Sequence, residues 1–165
     1  MLYLNHKPQS HSEQTREALQ AADGYLYLNL PQEALNEIDA VKGDDADIPE
    51  VLLARNRVLF HLKRWKDAEQ IAFRSSIDHG DREEFLVQRA FALKRMKQSR
   101  LAHQVLDEAP EWIRKTGILH YNLACYEAKL GDKASAQEFL DLAFSMNDAM
   151  RKNAKHDPDL QSILN

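Results

Sequence analysis

The lone cysteine of the chain, Cys125, lies five residues after His120 in the stretch HYNLACYEAK. A cysteine that acts as a nucleophile needs a nearby base and a donor for the oxyanion. On an α-helix, a separation of five residues places His120 away from the face that carries Cys125. This pair therefore does not predict covalent catalysis, and we expect Cys125 to occupy a structural position in a chain that is not an enzyme.

Metal and cofactor chemistry is not predicted either. His103 and Asp107 are four residues apart, so on a helix they could both ligate a metal ion, but no third ligand lies near them in the sequence. There is no HExxH motif, and no two of the five glycines are close enough to form a phosphate-binding loop. We expect neither a metal nor a cofactor.

The basic clusters HLKRWK and LKRMKQSR could contact nucleic acid, yet the formal net charge of the chain is −4. Because a phosphate backbone needs a broader basic face, we expect these clusters to lie in solvated turns. No apolar run approaches the roughly 18 residues of a membrane span. The stretch MLYLNHKPQSHS lacks the pattern of a signal peptide, and a single cysteine cannot form an internal disulfide. We expect a cytoplasmic protein that binds neither nucleic acid nor membrane.

A period of 34 residues organises the chain. One row of alanines repeats at this interval, and two further rows lie six and twelve residues upstream of it. The first row is Ala34, Ala68, Ala102 and Ala136, the second is Leu28, Leu62, Met96 and Leu130, and the third is Ala22, Asn56, Ala90 and Ala124. Helix-forming residues predominate, and only five glycines and five prolines are present. The period therefore predicts consecutive pairs of helices.

The turn within each pair follows the second row. Gly131 suits the left-handed conformation that ends many helices, and Asn29 adopts it at modest cost. Lys63 and Lys97 lie at the same place in the other two pairs and suit it less well, so we expect those turns to be built differently. The repeated alanine has a packing reason, because two antiparallel helices approach closely only where small side chains meet.

A helix-turn-helix unit of 34 residues resembles the tetratricopeptide repeat (TPR) family. The last unit is the most similar, through Leu123, Ala124, the Leu130-Gly131-Asp132 turn, Ala136, Leu140 and Ala143. The resemblance implies an all-α fold, a right-handed superhelical array of helix-turn-helix hairpins (a TPR-like α-solenoid). We expect an N-terminal extension, 1–14, four TPR-like repeats, 15–48, 49–82, 83–116 and 117–150, and a C-terminal capping segment, 151–165.

The two ends of the chain have expected roles in such an array. Terminal units need a cap, because the last hairpin otherwise exposes its apolar face. Ala149, Met150 and Ala154 are expected to face the array, and Leu160, Ile163 and Leu164 to fold back on it. At the other end, the segment MLYL could fill the groove of its own chain or of a second copy, which would give a homodimer.

The resemblance also implies a concave groove that is lined by the first helix of each repeat and binds a partner. Its expected apolar or small positions are Leu19, Leu26, Leu53, Phe60, Val87, Phe91, Tyr121 and Cys125. Its expected margin, which becomes basic towards the C-terminus, consists of Tyr27, His61, Lys94, Arg95 and Lys129. The expected ligand is a segment of another protein with apolar anchors and an acidic flank. The alternative is that Leu19, Leu53 and Val87 pack between neighbouring inner helices.

The sequence thus predicts a non-catalytic protein–protein interaction module. Co-chaperones of the TPR family hold a terminal carboxylate with lysine, asparagine and arginine, and the corresponding places here hold Leu19, Asp23, Ala54, Glu84 and Gln88. A terminal carboxylate is therefore not the expected ligand. Two alternatives stay open: a small secretion-type chaperone that holds a hydrophobic segment of an exported protein, and a self-assembling structural protein.

Overall fold

The computed structural model describes residues 12–129 and 131–164 of the chain. In this part of the chain every regular element is a helix. The α-helices are α1 (Glu13–Tyr27), α2 (Pro31–Ala40), α3 (Pro49–His61), α4 (Trp65–Asp78), α5 (Glu84–Arg95), α6 (Ser99–Asp107), α7 (Glu111–Arg114), α8 (Ile118–Lys129), α9 (Lys133–Met146), α10 (Met150–Ala154) and α11 (Gln161–Leu164). Short 3-10 helices span Gly43–Asp47 and Pro158–Leu160. The prediction of an all-α fold built from helical hairpins is confirmed.

The short turns after α1, α3, α5 and α8 share one backbone conformation. The residues with positive φ are Asn29 (57°), Lys63 (57°), Lys97 (62°) and Gly131 (78°). After α5, the N–H of Lys97 donates to the carbonyl of Lys94, and the N–H of Gln98 donates to the carbonyl of Leu93, each at 2.9 Å. These two bonds form a Schellman motif, which satisfies the last helical carbonyls and offsets the cost of a left-handed lysine. The expectation that the lysine turns are built differently is therefore wrong.

The small residues of the 34-residue period are buried. Ala34, Ala68 and Ala136 are fully buried and Ala102 is 8% exposed. The row twelve residues upstream, which includes Asn56, is buried as well. The hairpins α1–α2, α5–α6 and α8–α9 each pack closely, which agrees with the packing reason for the repeated alanine.

The chain divides between Lys63 and Arg64 into two compact units. In the first unit α1, α2 and α3 surround a core that includes Ile38, Val51 and Val58, all fully buried. The 3-10 helix Gly43–Asp47 packs on α3. The boundary falls inside the second expected repeat, 49–82, and the expected repeat boundaries stay a prediction.

The first unit also ties the start of α1 to this 3-10 helix. Ser12 caps α1, because its hydroxyl accepts a hydrogen bond from the N–H of Thr15 at 3.2 Å. The hydroxyls of Ser12 and Thr15 both donate to the carboxylate of Asp45, at 2.7 and 2.5 Å. The carboxylate therefore satisfies the buried Thr15 hydroxyl at the place where the chain returns from α2.

In the second unit α5 packs against α4, α6 and α8, and α8 packs against α9 and the 3-10 helix Pro158–Leu160. The aromatic core of this unit is centred on Phe91, whose ring centroid lies 6.1 Å from that of Trp65 and 4.8 Å from that of Tyr126. At the start of α8, Gly117 has φ 78°, and a Cβ there would lie 2.8 Å from the carbonyl oxygen of Ala143. The close approach of α8 to α9 thus depends on a glycine.

The C-terminal region packs on the second unit, although Ala149, expected to face the array, is exposed, and the role of this region as a cap stays a prediction. Ala154 and Leu160 are fully buried, whereas Leu164 is 39% exposed. The MLYL segment lies outside the described residues. Among the helices of the described part, none combines the length and the apolar character needed to cross a bilayer.

Candidate functional site

One face of α8 carries Tyr121 and Cys125, and we call it the inner face. It packs against Asp157 and the 3-10 helix Pro158–Leu160 of the C-terminal segment 157–164, which we call the tail. Tyr121 and Cys125 are one helical turn apart and both are half-buried. The hydroxyl of Tyr121 donates to Oδ2 of Asp157 at 2.8 Å, and Sγ of Cys125 lies 3.8 Å from the same oxygen. Leu160, three residues further along the tail, is fully buried. Two predicted groove residues therefore already hold a segment of this chain.

The surroundings of Tyr121 favour the protonated form of its hydroxyl group, which can donate a hydrogen bond. Burial raises the pKa of Tyr121 well above its ordinary value, and the hydrogen bond to Asp157 and the negative charge of that carboxylate raise it further. The phenol therefore stays protonated across the neutral range and can donate to a carboxylate.

Cys125, Asp157 and Asp159 bring a thiol and two carboxylates within 4.8 Å of one another. Both carboxylate oxygens of Asp157 accept hydrogen bonds within the chain: Oδ2 accepts from the hydroxyl of Tyr121, and Oδ1 accepts from the N–H of Asp159 at 3.0 Å. The bond from the N–H of Asp159 caps the 3-10 helix Pro158–Leu160. The geometry is thus that of a capped turn packed on α8, and sequence analysis did not anticipate it, because Cys125 and Asp157 are far apart in the chain.

His120 lies on a different side of α8 from Cys125. Its ring centroid is 6.3 Å from that of Phe139 on α9. Burial lowers the pKa of His120, while the charge of Asp107 raises it and His103 lowers it. The imidazole thus faces α6 and α9, as expected from its five-residue separation from the cysteine.

Lys94 and Arg95, the part of the expected basic margin that lies on α5, form ion pairs with a carboxylate of the chain itself. Glu127, on α8, is fully buried. The ammonium group of Lys94 lies 3.1 Å from its Oε1, and the guanidinium of Arg95 donates to its Oε2. The two cations keep about a quarter of their side-chain surface exposed. Both cations were expected to meet the carboxylates of a ligand, whereas in the structure they pair with the Glu127 carboxylate, which links α5 to α8.

The other predicted groove residues differ in their exposure. Val87 and Phe91 are each 1% exposed and Phe60 is 7% exposed, so these three are buried and present almost no surface to a ligand. Leu19, Leu26 and Leu53 are half-buried, and Leu19 and Leu26 pack against the core of the first unit. Tyr27 and His61 are exposed. The side chain of Lys129 lies outside the described residues.

A cavity of about 200 Å³ lies in the second unit, among α5, α6, α8 and α9. Its wall includes Lys94, His103 and Phe139, and the ammonium group of Lys94 lies 4.9 Å from the centroid of the Phe139 ring. Sequence analysis did not anticipate this cavity, because it forms between two hairpins rather than on one helix face. Lys94 is already paired with Glu127 there.

Comparison with solved structures supports the fold. The structure named "MamA MSR-1 C2" matches with a TM-score of 0.52 and 16% sequence identity, covering 92% of this chain and 88% of that one. The structure named "MamA D159K mutant 1" matches with a TM-score of 0.51 and 13% identity, covering 91% of each chain. No family model matches the sequence, and no curated protein matches it either. At these identities the likeness shows the fold: the chain is similar to MamA, a TPR-like helical repeat protein.

Proposed function

We propose that this chain is a non-catalytic protein-interaction module that holds a segment of a partner protein on the inner face of α8. The observation that carries the proposal is the seating of the tail on Tyr121 and Cys125. A surface that accepts one short segment of protein chain has the shape and the donors to accept another. The all-α hairpin fold supports the same function, since arrays of this kind present extended binding surfaces.

The chemistry of the surface indicates the chemistry of the partner. Tyr121 supplies a neutral hydrogen-bond donor for a carboxylate, and the site of Leu160 accepts an apolar side chain. Lys94 and Arg95 are paired with Glu127, so they add a weaker field than two free cations would. The partner segment therefore combines an acidic residue with an apolar anchor, and Tyr121 takes the role expected of the basic margin.

The test is affinity capture from a lysate of the native host with the full-length chain, quantified by mass spectrometry. In Tyr121→Glu a second carboxylate faces the acidic residue of the partner, and we expect the captured amount to fall by about tenfold or more. Lys133→Glu, an exposed change of charge on α9, is the matched control and leaves capture unchanged. Circular dichroism verifies that both variants remain helical.

A partner that both variants capture equally would place the interaction on another surface and overturn the assignment to α8. Tyr121→Phe refines the result, because it removes the hydroxyl while keeping the ring. A smaller loss with Tyr121→Phe than with Tyr121→Glu is expected, since the apolar contacts remain. A loss confined to Tyr121→Glu with none in Tyr121→Phe would mean that the hydroxyl is not part of the recognition.

A further inference from the structure

The tail is fastened to α8 through two chemically distinct anchors that are three residues apart. The carboxylate of Asp157 accepts a hydrogen bond from Tyr121, and the side chain of Leu160 is fully buried. The 3-10 helix between them packs on α8. The covered surface is the one to which the proposed function assigns a partner, so a partner and the tail cannot occupy it together.

Much of the hydrogen bonding of the tail lies within the C-terminal region itself. The N–H of Asp159 donates to Asp157 at 3.0 Å, and the side-chain amide of Gln161 donates to the carbonyl of Lys155 at 3.1 Å. Such bonds need not be broken when the segment leaves α8. Leu164, near the end of the tail, is 39% exposed. The tail is thus a short self-capped segment that contacts α8 through a polar and an apolar anchor, while its last helix, α11, packs on α9.

We propose that the tail is an internal ligand that covers the inner face of α8, and that the partner displaces it with the same chemistry: a carboxylate followed, three residues later, by a leucine. This inference rests on the proposed function and names the partner class and its regulation. Because only the uncovered form binds the partner, the apparent affinity equals the intrinsic affinity multiplied by the uncovered fraction. Release of the tail therefore strengthens partner binding.

Cys125 gives a direct probe of the covered state. It is the one cysteine in the sequence, and its thiol lies 3.8 Å from Asp157, so a maleimide reports whether the tail is seated. Leu160→Ser removes the apolar anchor from the full-length chain while Tyr121 stays intact. Leu164→Ser, on the same tail but partly exposed, is the matched control.

The ligand for the test is a synthetic peptide with the sequence DPDLQSILN, residues 157–165 of this chain. We expect Leu160→Ser to react with maleimide about tenfold faster than wild type and to bind the peptide about tenfold more tightly, since both quantities follow the uncovered fraction. Saturating peptide slows the reaction of this variant again. Leu164→Ser behaves as wild type, and a peptide with serine in place of the leucine that corresponds to Leu160 neither binds nor protects.

Several outcomes would overturn the inference. Equal maleimide rates in wild type and Leu160→Ser would mean that the tail does not cover Cys125 in solution. Peptide binding that is absent or equal in both chains would mean that the surface is not a ligand site for this chemistry. A dimer of wild type that Leu160→Ser abolishes would show that the tail is exchanged between copies rather than displaced by a partner.

A second variant protects the test against misfolding. If Leu160→Ser loses helicity by circular dichroism, Asp157→Asn replaces it, because this change keeps the side-chain shape and removes the negative charge to which the Tyr121 hydroxyl donates. The same increase in maleimide rate and peptide affinity is expected. The two proposals can fail separately. If capture of the partner is sensitive to Tyr121→Glu but the peptide does not compete with it, the α8 surface is retained as the binding site. The tail is then rejected as its internal ligand.

Discussion

Glu127 is the buried charge through which α8 is joined to α5. Its carboxylate is fully buried and meets Lys94 and Arg95. Glu127→Gln removes the negative charge and leaves two cations at the helix contact. Because those cations are about a quarter exposed and can regain water, we expect the free energy of unfolding to fall by about 3 kcal/mol, the lower end for a broken buried pair.

Urea denaturation followed by circular dichroism measures this loss. Glu138→Gln, an exposed glutamate on the neighbouring helix α9, is the control and should change the free energy of unfolding by less than about 0.5 kcal/mol. Similar losses for the two variants would show that Glu127 does not form the buried ion pairs in solution.

The lowered pKa of His120 predicts that the protein loses stability in acid. Burial lowers its pKa below the ordinary value of 6.5, so as the pH falls through that value the unfolded chain takes up a proton before the folded chain does. Stability therefore decreases as the pH falls from about 7.5 to 5.5. His120→Gln should decrease less over this interval, as measured by urea denaturation at each pH. His156, which is exposed, provides the control substitution, His156→Gln, and an equal decrease in both variants would contradict the assignment.

At the scale of elements, two glycines with the same backbone angle allow the cost of a strained backbone to be distinguished from the cost of overpacking. Gly117 and Gly131 both have φ 78°, but a Cβ at Gly117 would lie 2.8 Å from the carbonyl oxygen of Ala143, whereas a Cβ at Gly131 meets no atom within 4 Å. We expect Gly131→Ala to cost about 1 kcal/mol from strain and Gly117→Ala to cost about 3 kcal/mol, because overpacking is added. Thermal unfolding of the two variants measures the difference, and equal losses would argue against the tight contact.

Helices and turns could largely be predicted from the sequence, because the 34-residue period marks the small residues and turn positions of each hairpin. Lys63 and Lys97 show the limit of residue preference, since they adopt the same left-handed turn as Gly131. At Lys97, the backbone hydrogen bonds that close the Schellman motif override the preference of the side chain. The position in the repeat was therefore a better guide to conformation than the residue type.

The candidate site was predicted less completely, for a physical reason. A repeat position tells which face of a helix a residue lies on, but not how much of that face its neighbours cover. Val87 and Phe91 lie in the core for this reason. Glu127 lies three or four residues from the buried Leu123 and Ala124, a spacing that could have identified it as an inward-facing charge. The pairing of Tyr121 with Asp157 has no periodic signal.

The whole molecule consists of two compact units, each with buried apolar side chains of its own. Val51, in the first unit, and Leu140, in the second, are both fully buried. Substitution of either by alanine leaves a cavity and should cost about 2–3 kcal/mol. Because the favourable contacts of a repeat protein are mostly between neighbouring elements, we expect the loss of protection from hydrogen exchange to be concentrated in the unit that carries the change.

Hydrogen exchange with peptide-level mass spectrometry tests this expectation. Val51→Ala should raise exchange chiefly in α1, α2 and α3, and Leu140→Ala should raise it chiefly in α8 and α9, so each variant serves as the control for the other. If both variants raised exchange equally in every helix, the two cores would open in one cooperative step. The two units that meet after Lys63 would then not unfold independently. If each acts in its own unit, substitutions that test the α8 surface can be made without destabilising the first three helices.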